Sequence, residues 1–217
     1  MLNILIADDH PIMRDGLRQI LSATDDIVIA GEAGNGDEVL AKLKQAEFDV
    51  LLLDLSMPGI SGIELIKRVM IQKPKQRILI LSMHKEELYA VRTLKAGASG
   101  YLCKDSASGH LIPAIRKVAS GGRFVSPEVA ESLAMEVSPQ HHSLPHTQFS
   151  DREFQIFRMI AAGRSITEIA ESLKLSVKTV STYKTRILEK LHLSNAAELI
   201  RYGLKHGLVD DDLQDET

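Results

Sequence analysis

Five short runs of apolar residues, each followed by an amphipathic stretch, repeat along the first half of the chain and limit how it can fold. The runs are LNILIA from Leu2, IVIA from Ile27, VLLLD from Val50, ILIL from Ile78 and GYLC from Gly100. Runs that are apolar throughout predict strands covered on both faces, and the amphipathic stretches predict helices that cross between parallel strands. We therefore predict an α/β domain over residues 1–121, built on a doubly wound parallel sheet of five strands.

The rest of the chain has a different pattern. Residues 122–149 contain three prolines and predict a linker that holds one short helix from about Glu128 to Glu136. From Ser150 onward the apolar spacing is helical, and residues 150–209 predict a small all-α domain of four helices. Residues 210–217 hold five acidic side chains and predict an exposed acidic tail.

Charge is unevenly distributed between these segments. The whole chain has 26 basic and 29 acidic residues, a net charge of −3, which argues against a protein that binds polyanions over its entire surface. Residues 150–209 alone hold ten basic and six acidic residues, a net charge of +4. A small basic module inside an acidic protein favours a local polyanionic partner such as double-stranded DNA.

Composition excludes several other classes of protein. No apolar run approaches the length of a membrane span, and the uncharged N-terminal stretch ends in acids, so we expect neither membrane insertion nor a secretory signal. The single cysteine, Cys103, excludes an internal disulfide framework and a multi-cysteine zinc site. These features are typical of a cytoplasmic protein.

Acidic and polar residues stand at the ends of the predicted strands. Asp8 and Asp9 follow the first strand, Asp54 ends the third, Ser82 follows the fourth and Lys104 follows the fifth. Because the carboxyl ends of parallel strands meet at one edge of the sheet, we expect the three carboxylates to converge there. Mg²⁺, which prefers oxygen ligands, would neutralise their repulsion. With a hydroxyl and an ammonium group nearby, the site suits phosphoryl transfer to Asp54 as an acyl phosphate.

Residues 164–191 predict a helix–turn–helix. Its first helix runs from Ile166 to Leu173, and its second begins at Val177 after a possible cap at Ser176. On the second helix the apolar residues Val177, Val180, Ile187, Leu188 and Leu191 share one face. The opposite face carries small polar and basic residues, which suit base edges and phosphates in the major groove. The candidate DNA-contacting residues are Lys178, Thr179, Ser181, Thr182, Lys184, Thr185, Arg186 and Lys190.

The residues at the strand ends resemble those of the receiver domain of two-component response regulators. The likeness rests on Asp8-Asp9, Asp54 with Met57-Pro58-Gly59 after it, Ser82, Tyr101 and Lys104. It implies a flavodoxin-like fold, with Asp54 as the phosphoacceptor and a sensor histidine kinase as partner. The residues implied for Mg²⁺ are Asp8, Asp9, Asp54 and the backbone of Ser56, and those implied to stabilise the phosphoryl group or to switch with it are Ser82, Tyr101 and Lys104.

The basic module is similar to the LuxR-type DNA-binding domain, through the string SVKTVSTYKTRILEKL. A receiver followed by this domain is the architecture of the NarL/FixJ class of response regulators. The resemblance implies a transcription regulator that is activated by phosphorylation and binds DNA as a homodimer, with the helix over 195–206 supplying part of the dimer interface.

An enzyme and a phosphorylation-independent regulator are the alternatives to this interpretation. A phosphatase of the haloacid-dehalogenase type would need an acid two residues after Asp54, where this chain has Ser56, so we expect no enzymatic turnover. A DNA-binding regulator that works without phosphorylation, using the receiver as a protein-interaction module, stays open. His141, His142 and His146 lie among prolines and predict a solvated tether rather than a metal site.

Overall fold

The computed structural model describes residues 1–60, 62–83, 87–104, 107–136 and 144–208. The chain divides into two compact units, Met1–Met135 and Glu136–Thr217. His141, His142 and the acidic tail over 210–217 lie outside the described residues. Within the ranges given above, no helix is both long and apolar enough to cross a membrane.

The first unit is built on a five-stranded parallel sheet. Its strands are β1 Leu2–Ala7, β2 Ile27–Ala33, β3 Val50–Asp54, β4 Arg77–Ser82 and β5 Gly100–Cys103. Its helices are α1 Pro11–Leu21, α2 Gly36–Gln45, α3 Gly62–Gln72, α4 Glu87–Ala96 and α5 Ala107–Ala119, and α6 Pro127–Glu136 belongs to it up to Met135. The strand order is β2-β1-β3-β4-β5, with every neighbouring pair parallel. The predicted flavodoxin-like, doubly wound fold is therefore confirmed.

Helices cover the central strands, which explains why the apolar runs are continuous. β3 lies in the middle of the sheet and is buried along its whole length. On one face, Ile4 and Leu52 pack in a cluster with Leu17 of α1 and Leu111 of α5, and each of the four side chains is at most 3% exposed. A strand buried on both faces has no solvent side for polar residues, so its functional side chains can only stand at its end.

Strand register then brings those ends together. Ala7 of β1 pairs with Leu53 of β3, so Asp8 follows β1 at the level where Asp54 ends β3. Asp54 in turn pairs with Leu81 of β4, and Ser82 is the next residue. The order β1-β3-β4 thus places acidic and hydroxyl side chains at one edge of the sheet.

The second unit is helical. A short 3-10 helix, Pro145–Gln148, precedes α7 Asp151–Ala161, α8 Ile166–Leu173, α9 Val177–Leu191 and α10 Ala196–Lys205. Ser150 and Glu153 form the predicted capping box at the start of α7. α8 ends at Leu173, and the left-handed φ of 52° at its C-cap, Lys174, turns the chain. Ser176 then caps α9 by accepting the Thr179 N–H. The structure therefore contains the helix–turn–helix that the sequence predicts.

Two side chains in this unit differ from the sequence-based expectation. Val177, predicted to lie on the apolar face of α9, is 49% exposed, because it is the first residue of the helix and no helical turn precedes it. His146, predicted to belong to a solvated tether, is only 4% exposed. Its Nδ1 lies 2.7 Å from Tyr202 Oη, and its ring packs near the rings of Tyr202 and His206. The 3-10 helix therefore packs within the helical unit through His146.

Candidate functional site

Three acidic residues and a lysine meet at the carboxyl edge of the sheet, as their positions at the strand ends predict. Asp8 is 1% and Asp54 is 3% exposed, and both are reached by Lys104 from the end of β5. Lys104 Nζ lies 2.7 Å from Asp8 Oδ2 and 3.2 Å from Asp54 Oδ2. The side chain of Asp9 is 28% exposed and lies on the solvent side of this group.

The electrostatics of Asp54 reflect this crowding. Burial raises the pKa of Asp54 most strongly, the ammonium group of Lys104 lowers it, and the charge of Asp8 raises it again. The net pKa is above its usual range. One lysine therefore offsets only part of the cost of keeping two buried carboxylates charged, and a further cation would stabilise the ionised form.

Asp9 adds a third carboxylate to this group, with one oxygen that no hydrogen bond satisfies. Its Oδ1 atom is buried and makes no hydrogen bond with any residue that the structure describes. A buried carboxylate oxygen without a donor is costly unless a cation lies against it. Carboxylate oxygens are the ligands that Mg²⁺ prefers, so the donor set fits that ion.

Sequence reasoning missed His10, which lies in the same group. One ligand atom from each of Asp8, Asp9, His10 and Asp54 lies within 4.8 Å of all the others. His10 Nδ1 is 3.0 Å from Asp9 Oδ1 and 3.3 Å from Asp8 Oδ1. The only signal in the sequence is that His10 directly follows the two aspartates.

The remaining predicted residues of this site lie around the carboxylates. Ser56 donates its backbone N–H to Asp54, which lowers the pKa of that carboxyl and partly opposes the effect of burial. Ser82 ends β4 and is fully buried beside Cys103, the residue before Lys104. Tyr101 lies further back on β5, paired with Ile80, and is 7% exposed. Ser82 thus stands at the edge of the sheet, and Tyr101 lies within the protein.

On α9, the predicted DNA-contacting residues fall into two groups. Val180, Ile187 and Leu191 are buried against the unit, so the residues on the opposite side face solvent. The exposed members are Lys178, Ser181, Thr182, Thr185, Arg186 and Lys190, whereas Thr179 and Lys184 are half-buried. Thr182 and Thr185 donate their hydroxyl protons to the carbonyls of Lys178 and Ser181.

Lys190 differs from the other basic residues of α9. Its Nζ lies 2.6 Å from Glu153 Oε2 and 3.4 Å from the Gln148 carbonyl, both in the same helical unit. Burial raises the pKa of Glu153, but hydrogen bonds from Lys190 and Ser150 outweigh it and leave that pKa below its usual range. The structure therefore joins Lys190 to the start of α7 through Glu153.

Two parts of the chain match known protein families. Residues 4–116 match the family described as response regulator receiver domain, and residues 147–203 match the bacterial regulatory proteins of the luxR family. The chain is 36% identical over 211 residues to the response regulator GacA of Pseudomonas viridiflava, and the alignment covers 97% of this chain and 99% of that protein. The likeness in sequence therefore extends over nearly the whole chain.

Solved structures show the same likeness. RcsB from Salmonella enterica serovar Typhimurium, bound to promoter rprA in the presence of phosphomimetic BeF3−, is 29% identical with a TM-score of 0.69, and the match covers 93% of this chain and 97% of that one. A structure of two RcsB dimers bound to two parallel DNAs is 30% identical with a TM-score of 0.59, covering 93% and 96% of the two chains.

Proposed function

This chain belongs to the response regulators that join a receiver domain to a LuxR-type DNA-binding domain, and from that premise we propose that phosphorylation of Asp54 controls its binding to DNA. The observation that carries the proposal is the position of Asp54. Its carboxylate is buried at the edge of the sheet, within 3.2 Å of Lys104 and close to the carboxylates of Asp8 and Asp9. We place the protein in the cytoplasm, where both a kinase and DNA are available to it.

In the proposed reaction, an Asp54 oxygen attacks the phosphorus of a phosphohistidine on a sensor histidine kinase. The new O–P bond forms as the P–N bond breaks, and the histidine keeps the electron pair and takes up a proton. Lys104 lies where its ammonium group can offset charge on the transferred phosphoryl oxygens. Mg²⁺ held by Asp9, Asp54 and the Ser56 carbonyl, with Asp8 acting through water, would supply further positive charge there when bound.

The phosphorylated state is proposed to act as a signal rather than as a step in turnover. Two residues beyond Asp54 stands Ser56, which has no carboxyl group to act as a general acid or base for hydrolysis. Ser82, at the same edge, is proposed to bond the phosphoryl group, and Tyr101 to shift with it. The phosphoryl group would then favour one of two conformations of the receiver.

DNA binding is proposed for the exposed face of α9. Lys178 and Arg186 would contact phosphates, and Ser181, Thr182 and Thr185 would reach base edges or thymine methyl groups. One small domain neutralises few phosphates, so two copies of the chain would bind together as a homodimer. The structure of two RcsB dimers bound to two parallel DNAs supports binding as a dimer.

Chemical trapping tests the proposed phosphoacceptor directly. The full chain is incubated with acetyl phosphate and Mg²⁺ and then reduced with borohydride, which converts an aspartyl phosphate to homoserine. We expect homoserine at position 54 in the wild type and in the control variant Asp25→Ala, whose side chain is exposed away from the site. Asp54→Ala should give none. Homoserine at another position, or none in the wild type, would overturn the assignment.

A further inference from the structure

The exposed face of α9 carries positive charge that the described residues do not neutralise. The helix holds four basic side chains and one acidic one. Lys190 is paired with Glu153 at 2.6 Å, but neither Lys178 nor Arg186, both exposed, forms an ion pair with any residue that the structure describes. Positive charges grouped on one face attract an anionic partner. This face therefore suits a negatively charged segment of protein as well as it suits DNA.

The acidic tail has the composition of such a segment. Residues 210–217 read DDDLQDET and contain five acidic side chains and no basic one. Along an extended chain, which rises about 3.3 Å per residue, the five charges would stand about 5 Å apart on average. One strand of duplex DNA carries a charge about every 3.4 Å of the helix axis. The tail thus offers a cationic face a row of charge close in density to that of a nucleic-acid strand.

The tail follows a residue that is fixed in the helical unit. Leu208, after α10, is 3% exposed and donates its N–H to the Gly203 carbonyl at 2.9 Å. α10 packs against α7, and α7 packs against α9. Residues 209–217 can span up to about 30 Å, whereas a unit of about 60 residues is about 27 Å across. The tail is therefore long enough to pass from the end of α10 to the exposed face of α9.

We propose that the acidic tail binds the exposed face of α9 in its own chain and competes there with DNA. The inference deepens the proposed function and rests on it in taking α9 as the DNA-contacting helix. Because the tail and the face belong to one chain, the tail acts at an effective concentration on the order of millimolar, whatever the concentration of the protein. The tail must leave the face before any DNA can bind, so it lowers the affinity for every DNA sequence by the same factor.

A tail that only repels DNA from a distance would also weaken binding. The two roles differ in the protein without DNA, where a bound tail contacts Lys178 and a repelling tail does not. They also differ in their dependence on α9. Removing the charge of Lys178 lessens the effect of a bound tail, because the tail loses a partner, whereas repulsion between the tail and DNA does not depend on that residue.

Crosslinking of the full chain at low salt tests the contact. A carbodiimide joins a carboxylate to a lysine amine only where the two groups touch, and peptide mass spectrometry locates the bond. Isotope-labelled chains are mixed with unlabelled ones, which separates bonds within one chain from bonds between two. We expect bonds from the tail to Lys178 within one chain to exceed those to Lys44, an exposed lysine of α2, and to be lost when random-sequence duplex DNA is added. Equal crosslinking to both lysines, or bonds only between different chains, would overturn the inference.

Neutralising the tail tests the competition. The variant replaces its five acidic side chains by Asp210→Asn, Asp211→Asn, Asp212→Asn, Asp215→Asn and Glu216→Gln. Its affinity for the random-sequence duplex should exceed that of the wild type about tenfold at about 0.05 M salt and less than about twofold at about 0.5 M salt, because salt screens the exposed ion pairs of the tail. The control Asp25→Asn, at an exposed acid of the receiver, should match the wild type. No gain at low salt, or an equal gain at both salt concentrations, would overturn the inference.

Lys178→Met, combined with each form of the tail, separates the two roles. It should reduce the gain from neutralisation from about tenfold to less than about threefold, since coupled sites are not additive. A gain that stays tenfold would assign the effect to repulsion and overturn the inference. If Lys178→Met leaves the DNA affinity of the neutral-tail variant unchanged while the wild type still crosslinks at Lys178, the proposed DNA-contacting face fails and the tail contact stands, so the two failures are distinguishable.

Discussion

Replacing Lys190 by methionine distinguishes a residue that stabilises the helical unit from the residues proposed to contact DNA. Lys190 Nζ lies 2.6 Å from Glu153 Oε2, and the side chains are 38% and 6% exposed respectively. The same oxygen also accepts the N–H of Ser150 at 2.8 Å. Removing the ammonium group leaves a buried charge with a weaker set of partners. A hydrogen bond to a charged group contributes about 1.5–3 kcal/mol, and solvent at the lysine end reduces the expected loss to about 1–2 kcal/mol.

Hydrogen exchange measured by mass spectrometry can assign this loss to one unit of the full chain. In Lys190→Met, peptides from α7 and α9 should exchange about 5- to 30-fold faster, which corresponds to about 1–2 kcal/mol. Peptides from α5, in the other unit, should be unchanged. The double variant Glu153→Met with Lys190→Met should recover part of the protection, since it removes the unpaired charge as well.

The salt dependence of DNA binding completes this test. Lys178→Met, at the exposed face of α9, should reduce the slope of log affinity against log salt by about one, because one phosphate contact is lost. Lys190→Met should leave that slope unchanged. Unchanged exchange together with a reduced slope for Lys190→Met would refute the structural role and return Lys190 to the set of phosphate contacts.

Three further outcomes follow from the burial and charge of single residues. Asp54→Asn should stabilise the receiver against urea at neutral pH without divalent ions, because burial raises the pKa of Asp54 and disfavours its charged form. This gain in stability should disappear as the pH falls through the raised pKa to below about 3.9, where Asp54 is protonated in the unfolded chain as well. A wild type that is more stable than the variant at neutral pH would contradict the prediction. Val180→Ala should lower the free energy of unfolding of the helical unit, measured by thermal unfolding, by about 1–3 kcal/mol. Val177→Ala, at an exposed position, should change this free energy by less than about 0.5 kcal/mol. Equal losses for the two variants would contradict the burial pattern. Burial raises the pKa of Glu153, but hydrogen bonds such as that from Lys190 hold this pKa below its usual range. The charged Glu153 therefore contributes its full stabilisation above the unfolded pKa of about 4.3, and this stabilisation is lost as the pH falls further, through the lowered pKa of the folded state. Glu153→Gln should flatten this pH dependence in acid unfolding, and a pH profile equal to that of the wild type would contradict the prediction.

Much of the fold could be predicted because its signals are local. A continuous apolar run such as Val50–Asp54 requires cover on both faces, and its last residue then stands at the edge of the sheet. The capping box of Ser150 and Glu153 is likewise complete within four residues of sequence. The acidic cluster followed from these signals, because neighbouring parallel strands must end together.

What the sequence alone did not reveal depends on contacts between distant residues. The partner of Lys190 is Glu153, 37 positions away, and the partner of His146 is Tyr202, 56 positions away. Helical periodicity places Val177 on the apolar side of α9 but does not say whether a neighbour covers the first turn. Periodicity describes one element, and burial depends on which elements pack against it.

The coupling between the two units is the central claim, and DNA retention measures it most directly. Full-length wild type, Asp54→Ala and the control Asp25→Ala are each incubated with genomic DNA fragments, with and without acetyl phosphate and Mg²⁺. The account predicts that the phosphodonor tightens binding of the wild type and of Asp25→Ala and has no effect on Asp54→Ala. If all three proteins bind the same fragments equally with and without the donor, the DNA-binding unit stands but the control by Asp54 is contradicted.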